Sequence, residues 1–341
     1  MEDLHTITSV ACSPTFTEDR IWLNGQPESV AGNRRMEMVF SNMRALASHC
    51  SFKDEKVHIV STNSFPTAAG LASSASGFAC LVKALAILFE IVEEYPGQLS
   101  EIARMGSGSA SRSLFGGFSK WQMGQLADGK DSIAVSVAPE SHWNDIHAII
   151  CVASSHKKLT SSTGGMIDSV RTSELLDYRA KHVVPKRMEE MELAIKEKDF
   201  VKFATLTMKD SNQFHATCLD TYPPIAYMTD VSHQVSRLVH EINAEKVICA
   251  YTFDAGPNAV IFVQQENVQH VLQEILKQFG PAESSSDHFV RGKTILNSSQ
   301  IESKSSGLLH YIIHTKIGKG AEKMESTDPR FLINVETGLA K

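Results

Sequence analysis

The chain has 341 residues, enough for two domains or for one large domain with a lobe, and its 42% hydrophobic and 21% charged content excludes extensive disorder. A net charge of -6 lacks the basic field of a general nucleic-acid binder, so an anionic ligand would need arginines, helix N-termini or a metal placed locally. No apolar run approaches the roughly 20 residues that span a bilayer, and the N-terminus MEDLHTITSV carries no secretory leader pattern.

Taken in chain order, LHTITSVACS alternates β-branched residues and predicts a strand, and DRIWLNGQPESV predicts a second strand with an Asn-Gly hairpin turn. Between 34 and 48, Met36, Val39, Phe40, Met43 and Leu46 recur at a helical period. KVHIVSTNSF predicts a strand that runs into the loop FPTAAGLASSASG, with a buried helix from Ser73. QLSEIARMGSGSASRSLFGGF predicts a short helix, a Gly/Ser loop and a second helix ending at Gly116-Gly117, and SIAVSVAP and HAIICVAS predict strands. Long amphipathic helices follow, with Val184, Met188, Met191 and Ile195 on one stripe, which puts a domain boundary at 150–160. VICAYTFDAGPNAVIFVQ predicts strand, turn, strand, and PAESSSDHF a surface loop. Six cysteines without a C-x-x-C pair predict reduced, mostly buried thiols in a reducing compartment.

Three stretches could carry chemistry. In Pro66–Gly77 small side chains let a polyphosphate approach the backbone ahead of a helix N-terminus, and Ser73 and Ser74 could cap that helix or meet phosphate and magnesium. The loop has no Walker lysine, and a helix start packed through alanines explains the same composition. Gly106 to Arg112 offers hydroxyls, backbone donors and one guanidinium, which suits a carboxylate or diphosphate; a flexible turn with a solvated arginine is the alternative. Phe253 to Asn258 sets Asp254 at a rigid strand end, where a carboxylate can take a proton, although Asp before Gly-Pro also serves as plain turn chemistry. KKLTSSTGGM resembles a ligand-facing loop. His215 in KDSNQFHATCLD is either a general base or a histidine satisfied by its neighbours. The 14 histidines show no metal-ligand spacing, so no dedicated protein cage for a metal is expected.

The loop around Gly70 resembles the P-x-x-x-G-L-x-S-S-A phosphate loop of the GHMP small-molecule kinase superfamily. The strings FPTAAGLASSASGFACL, GSGSASRSLFGGF, MKDSNQFHATCLDTYPPI and AYTFDAGPNAVIF are similar to the diphosphomevalonate decarboxylase family, and the similarity runs from Thr6 to the final ETGLAK. The resemblance implies an α+β, GHMP-kinase-like fold of two domains, 1–150 for ATP and 151–341, with the active site in the cleft between them. It implies an ATP- and magnesium-dependent conversion of (R)-5-diphosphomevalonate to isopentenyl diphosphate in a cytosolic homodimer, with neither nucleic acid nor membrane as partner. Asp254 would act on the tertiary hydroxyl, and Arg112 would hold the substrate carboxylate. Ser107, Gly108, Ser109, Ala110 and Ser111 would line the substrate site with Ser162 and Thr163, and Arg35, by a looser match, would reach the diphosphate. Asn63, Pro66, Ala68, Ala69, Gly70, Leu71, Ala72, Ser73 and Ser74 would hold ATP, with Ser74 the one candidate protein ligand of magnesium.

The chain departs from the family at Ser111, usually Cys, and at Ser64, usually Asn. The family's A-P-x-N-I-A-x-x-K-Y-W-G-K and L-P-x-N-x-S-x-S segments do not occur in it. The expectation is therefore a missing sheet strand, a missing substrate-binding lysine and tyrosine, and little activity.

Overall fold

The computed structural model describes residues 3–65, 71–153, 160–282, 289–293 and 306–341. These fall into two compact units that interleave along the chain: one is built on Ser141–Ile317 with Asp3, and the other on Leu4–Phe65, Ala72–Glu140 and Gly318–Lys341. Both mix helices with largely antiparallel sheet, an α+β composition.

The unit that begins at Leu4 contains β1 (Thr6–Ser13), β2 (Arg20–Leu23), β3 (Gln26–Glu28), α1 (Arg34–Leu46), β4 (Lys56–Asn63), α2 (Ser73–Leu88), α3 (Gln98–Gly106), α4 (Ala110–Ser113), β5 (Phe118–Trp121) and β6 (Ala134–Ala138). Its four-stranded sheet runs β1-β4-β2-β3, and β5 pairs with β6. The Asn-Gly turn between β2 and β3 forms as predicted, with φ of 50° at Asn24 and 78° at Gly25, the left-handed pair that a tight hairpin requires. On α1 the predicted stripe of Met36, Val39, Phe40 and Met43 is buried, where it meets Val82, Leu85 and Phe89 of α2 and its C-terminal cap in one core. The C-terminal segment closes this unit: Leu332 N–H donates to Ser9 Oγ, and the Gly338 carbonyl lies 2.7 Å from His58 Nδ1.

Two local expectations change. The N-cap of α2 is Ala72, at a left-handed φ of 53° and without a side-chain hydrogen bond, so Ser73 and Ser74 occupy the first turn and do not cap. The helix expected to end at Gly116-Gly117 is only the four-residue α4; the chain then turns at Gly117, at φ 67°, where a Cβ would lie 2.3 Å from the Ala138 carbonyl oxygen.

The other unit contains β7 (Ile146–Val152), α5 (Ser162–Thr172), α6 (Glu174–Tyr178), α7 (Val184–Glu197), α8 (Phe200–Asp220), α9 (Asp230–Ile242), β8 (Cys249–Phe253), β9 (Ala259–Gln264), α10 (Val268–Phe279), β10 (Val290–Gly292) and β11 (Tyr311–Lys316). Its sheet runs β10-β11-β7-β9-β8, with β8 at one edge and α8 and α9 packed on β8. β7 is buried along its whole length, as an apolar strand covered on both faces should be. The stripe predicted for α7 buries only at its end, at Ala194 and Ile195, and Met188 stays exposed. Most of the loop expected at PAESSSDHF lies outside the described residues. Among the described residues no helix is long and apolar enough to cross a membrane. All six cysteines are free thiols, with Cys50, Cys151, Cys218 and Cys249 buried.

Two buried imidazoles meet in this sheet: His147 Nδ1 lies 2.8 Å from His314 Nε2. One ring must donate and the other accept, so the pair cannot carry two charges. Desolvation and the neighbouring cations Lys316 and Lys293 lower His147, against a raising influence from Asp145. Burial, then His147 and Lys293, push His314 down to about 4, against Asp3. Both rings then bind protons less readily when folded than when unfolded. Their stabilisation is therefore complete above pH 6.5, is lost as the pH falls toward 4, and on His314 alone amounts to roughly 3 kcal/mol. Urea midpoints are expected to fall from pH 7 to pH 4.5, and to fall less steeply in His314→Phe; equal slopes would remove the pair as the cause.

Candidate active site

In the unit that begins at Leu4, three elements bring candidate residues together. Arg35, on the first turn of α1, reaches the Gly106 carbonyl at 3.5 Å and lies over the Phe78 ring at 5.6 Å. Ser74 Oγ on α2 lies 3.4 Å from Ser107 Oγ, so the start of α2 and the Gly106–Arg112 loop share one surface. The helix start offers backbone N–H groups without a side-chain cap or an acidic residue in its first turn, the electrostatic setting that favours a phosphate. Asn63, at the end of β4, accepts a hydrogen bond from Thr6 Oγ1 at 2.6 Å on its Oδ1 and donates its backbone N–H to Asn24 Oδ1 at 2.9 Å. Pro66, Ala68, Ala69 and Gly70 lie outside the described residues, and Leu71 immediately precedes the cap residue Ala72.

The Gly/Ser loop is an ordered turn. Ala110 N–H donates to the Ser107 carbonyl at 2.8 Å, and Ser111 Oγ donates to the Gly108 carbonyl at 2.8 Å. Ala110 and Ser111 are fully buried, so their side chains shape the loop, while Ser107, Gly108 and Ser109 are half-buried. Arg112 Nη2 donates to Ser109 Oγ at 3.1 Å, and its guanidinium lies over Trp121 at 5.9 Å. Trp121 also covers Gly108, where a Cβ would come within 3.0 Å of the indole, and it donates Nε1–H to Ser132. Trp121 escaped the sequence reading because nothing in FSKW distinguishes a ring stacked on an arginine from a surface aromatic. Gly106 has no room for a side chain: a Cβ would lie 2.2 Å from the Phe78 ring, the ring that also carries Arg35. Gly106→Ala is expected to destabilise the protein by about 1–3 kcal/mol through overpacking, read as a lower urea midpoint. An unchanged midpoint would mean that Phe78 yields freely.

In the other unit, Asp254 directly follows β8 and is exposed, between the buried Phe253 and Ala255. The turn beyond it is held at several points. Gly256 N–H donates to the Asp254 carbonyl at 2.7 Å, Ser232 Oγ donates to the Pro257 carbonyl at 2.9 Å, and Asn258 Oδ1 accepts from Ala153 N–H at 2.8 Å. Burial, with Asp254 adding to it, pushes Cys218 up to about 11, so this thiol is inert. Burial, then Cys218 and Asp254, raise Tyr227 to about 12, which leaves its hydroxyl a neutral donor. Ser161 caps α5 by accepting from Gly164 N–H at 3.0 Å, which places Ser162 and Thr163, both exposed, on its first turn. A Cβ at Gly165 would meet the Tyr227 hydroxyl at 2.5 Å, so this small residue allows α5 to lie close to Tyr227.

A cavity of about 940 Å³ opens between the β2–β3 hairpin and α1, lined by Asp19, Trp22, Glu37, Arg44 and Lys56 among others; no candidate site residue lines it. Among the described residues no cluster of three or more His, Cys, Asp or Glu could hold a metal.

Comparison with known proteins matches residues 1–134 to the diphosphomevalonate decarboxylase-like N-terminal domain and residues 148–324 to the mevalonate 5-diphosphate decarboxylase C-terminal domain. The diphosphomevalonate decarboxylase of Rattus norvegicus is 48% identical over 344 residues, covering 95% of this chain and 84% of that protein. A crystal structure of mevalonate 5-diphosphate decarboxylase is similar with a TM-score of 0.86 and 42% identity, over 99% of this chain and 90% of that one. A further relative, solved in complex with MVAPP, AMPPCP and magnesium, is 27% identical with a TM-score of 0.72, over 93% of this chain and 87% of that one. With two domain models covering most of its length and relatives near half identity, the chain belongs to the diphosphomevalonate decarboxylase family.

Proposed function

We propose that the protein is an ATP-dependent decarboxylase that converts (R)-5-diphosphomevalonate to isopentenyl diphosphate, releasing ADP, phosphate and carbon dioxide. The observation that carries this is Asp254, a carboxylate exposed at the end of β8 on a turn braced by Ser232 and Asn258. A tertiary hydroxide is a poor leaving group. The hydroxyl is therefore phosphorylated first, its proton passing to the Asp254 carboxylate as its oxygen bonds to the γ-phosphorus and ADP departs. The C–O bond to phosphate then breaks, and the electron pair of the C–C bond to the carboxylate forms the alkene as carbon dioxide leaves.

Arg112, pre-oriented by Ser109 and Trp121, is the charge that holds the substrate carboxylate. Ser107, Gly108 and Ser109 supply polar contacts to the substrate, Ala110 and Ser111 the shape of that loop, Ser162 and Thr163 further hydroxyls, and Arg35 a contact to the diphosphate. ATP is assigned to the 1–150 part, with Asn63, Pro66, Ala68, Ala69, Gly70, Leu71, Ala72, Ser73 and Ser74 as its contacts; the second domain, expected as 151–341, is taken as the unit built on Ser141–Ile317, because Gly318–Lys341 belong to the unit that begins at Leu4.

Magnesium neutralises the phosphates in transfer when bound. Such an ion keeps most of its water and needs only one or two protein oxygens, and the exposed Ser74 hydroxyl on the first turn of α2 fits that demand.

Six free thiols suit a cytosolic protein of sterol and isoprenoid synthesis. The exposed Met166, Ile167 and Val170 of α5 offer an apolar face suited to a homodimer, which sedimentation equilibrium tests. ADP release that depends on 5-diphosphomevalonate is the primary functional test. Release from ATP with mevalonate or its monophosphate instead would point to a kinase that does not decarboxylate.

A further inference from the structure

Within its own loop Arg112 is met by Ser109. Further contacts reach it from outside the loop, from the two-stranded β5–β6 ribbon. Ser119 Oγ donates to the Arg112 carbonyl at 3.3 Å, and the guanidinium carbon lies 5.9 Å from the centre of the Trp121 ring. Positions 119 and 121 are two apart on one strand, so both side chains stand on one face of β5 and reach the two ends of the same residue. The indole is itself fixed: its Nε1–H donates to Ser132 Oγ at 3.0 Å, and Ser132 Oγ donates to the Gln122 carbonyl at 3.3 Å. Across the ribbon Trp121 pairs with Ala134, whose N–H donates to Ser100 Oγ of α3 at 2.9 Å. Ser100 Oγ donates in turn to the carbonyl of Ser111, the residue before Arg112, at 3.2 Å. Both Ser100 contacts are buried, where an unpaired donor or acceptor is costly, so they hold. One rung of the ribbon therefore grips the loop at Ser111 through Ser100, at Arg112 through Trp121, and at Gly108, where a Cβ would meet the indole at 3.0 Å.

We propose that the β5–β6 ribbon is the platform that positions Arg112, with Trp121 and Ser119 as the positioning residues that hold its guanidinium and its carbonyl. This rests on the reading of Arg112 as the charge that holds the substrate carboxylate. The gain is orientation. A guanidinium on a long stem gives up rotamer freedom when it pairs with a carboxylate, and a side chain already confined gives up less. The flat indole suits this task because a guanidinium stacks on an aromatic face. Ser119 fixes the backbone from which the side chain starts. Trp121 is 37% exposed, so it is a wall beside the loop and not core filling, and its replacement leaves the core of the unit intact. Neither residue touches a reacting atom; both act through Arg112.

The test compares Trp121→Leu, which removes the ring, Trp121→Phe, which keeps a ring face and loses the N–H, and Ser119→Ala. Trp121→Leu is expected to lower kcat/KM for diphosphomevalonate about tenfold, with the KM for ATP within about twofold of wild type. Trp121→Phe should recover most of that loss. Ser119→Ala removes only a hydroxyl, so it keeps the proposal open to refutation should Trp121→Leu fail to fold; it is expected to lose about threefold in the same constant. Because Trp121 acts through Arg112, Trp121→Leu should cost less than about twofold more in an Arg112→Met background. Wild-type kcat/KM in Trp121→Leu or Ser119→Ala, equal damage in Trp121→Phe and Trp121→Leu, or a full further tenfold loss in the Arg112→Met background would overturn the proposal. Wild-type kcat/KM in Arg112→Met would instead remove the reading of Arg112 itself. Damage in Arg112→Met with none in Trp121→Leu removes the platform alone, which keeps the two failures apart.

Discussion

Asp254→Asn is expected to lower kcat by about a thousandfold with little change in stability. The side chain is exposed, and the turn around it is held by the backbone of Asp254 and Pro257 and by Ser232 and Asn258, none of which the substitution touches. The amide keeps the size of the carboxylate and loses its capacity to take a proton, so the loss should fall on phosphoryl transfer. Stopped-flow ADP release and an unfolding curve check this together. A variant with wild-type kcat would remove Asp254 from the chemistry. One that has lost both kcat and its cooperative unfolding would point to a structural role.

Arg112 is the second residue with a large expected effect. Its guanidinium is held by Ser109 Oγ at 3.1 Å and by the face of Trp121, so its fork is oriented before substrate arrives. Arg112→Met should lower kcat/KM for diphosphomevalonate about 100-fold, the worth of a charge-assisted pair to a carboxylate. Arg112→Lys keeps the charge but loses the planar pair of donors, and is expected to recover about tenfold of that. KM for ATP should stay within about twofold in both. Steady-state kinetics with each substrate varied in turn reads this directly. A rise confined to the KM for ATP would move Arg112 to the nucleotide.

How much of the fold and site is legible in the sequence depends on how local the cause is. The Asn24-Gly25 turn, the stripe of α1 and the strand-turn-strand around Asp254 are written in neighbouring residues, and the structure shows each. The cap of α2 is ambiguous in sequence because serine suits both an N-cap and a first turn; a left-handed alanine at position 72 decides between them. β11 drew no expectation, since Tyr311–Lys316 becomes a strand through β7, more than 150 residues earlier in the chain. In the same way Ser211 and His215 look like polar crowding at a helix end. The target of Ser211, the Phe253 N–H, is defined only once α8 lies along β8, a packing relation that no spacing in KDSNQFHATCLD encodes. The Gly106–Arg112 loop shows its polar groups in sequence, but not which residues are buried to shape it.

The most direct measurement uses (R)-5-diphosphomevalonate labelled with carbon-14 at its carboxyl carbon, turned over with ATP and magnesium, with ADP, labelled carbon dioxide and isopentenyl diphosphate followed together. The expected result is that the three appear in equal amounts and that all three are lost together in Asp254→Asn. ADP formed without labelled carbon dioxide, with the label retained in a phosphorylated acid, would contradict the decarboxylase reading.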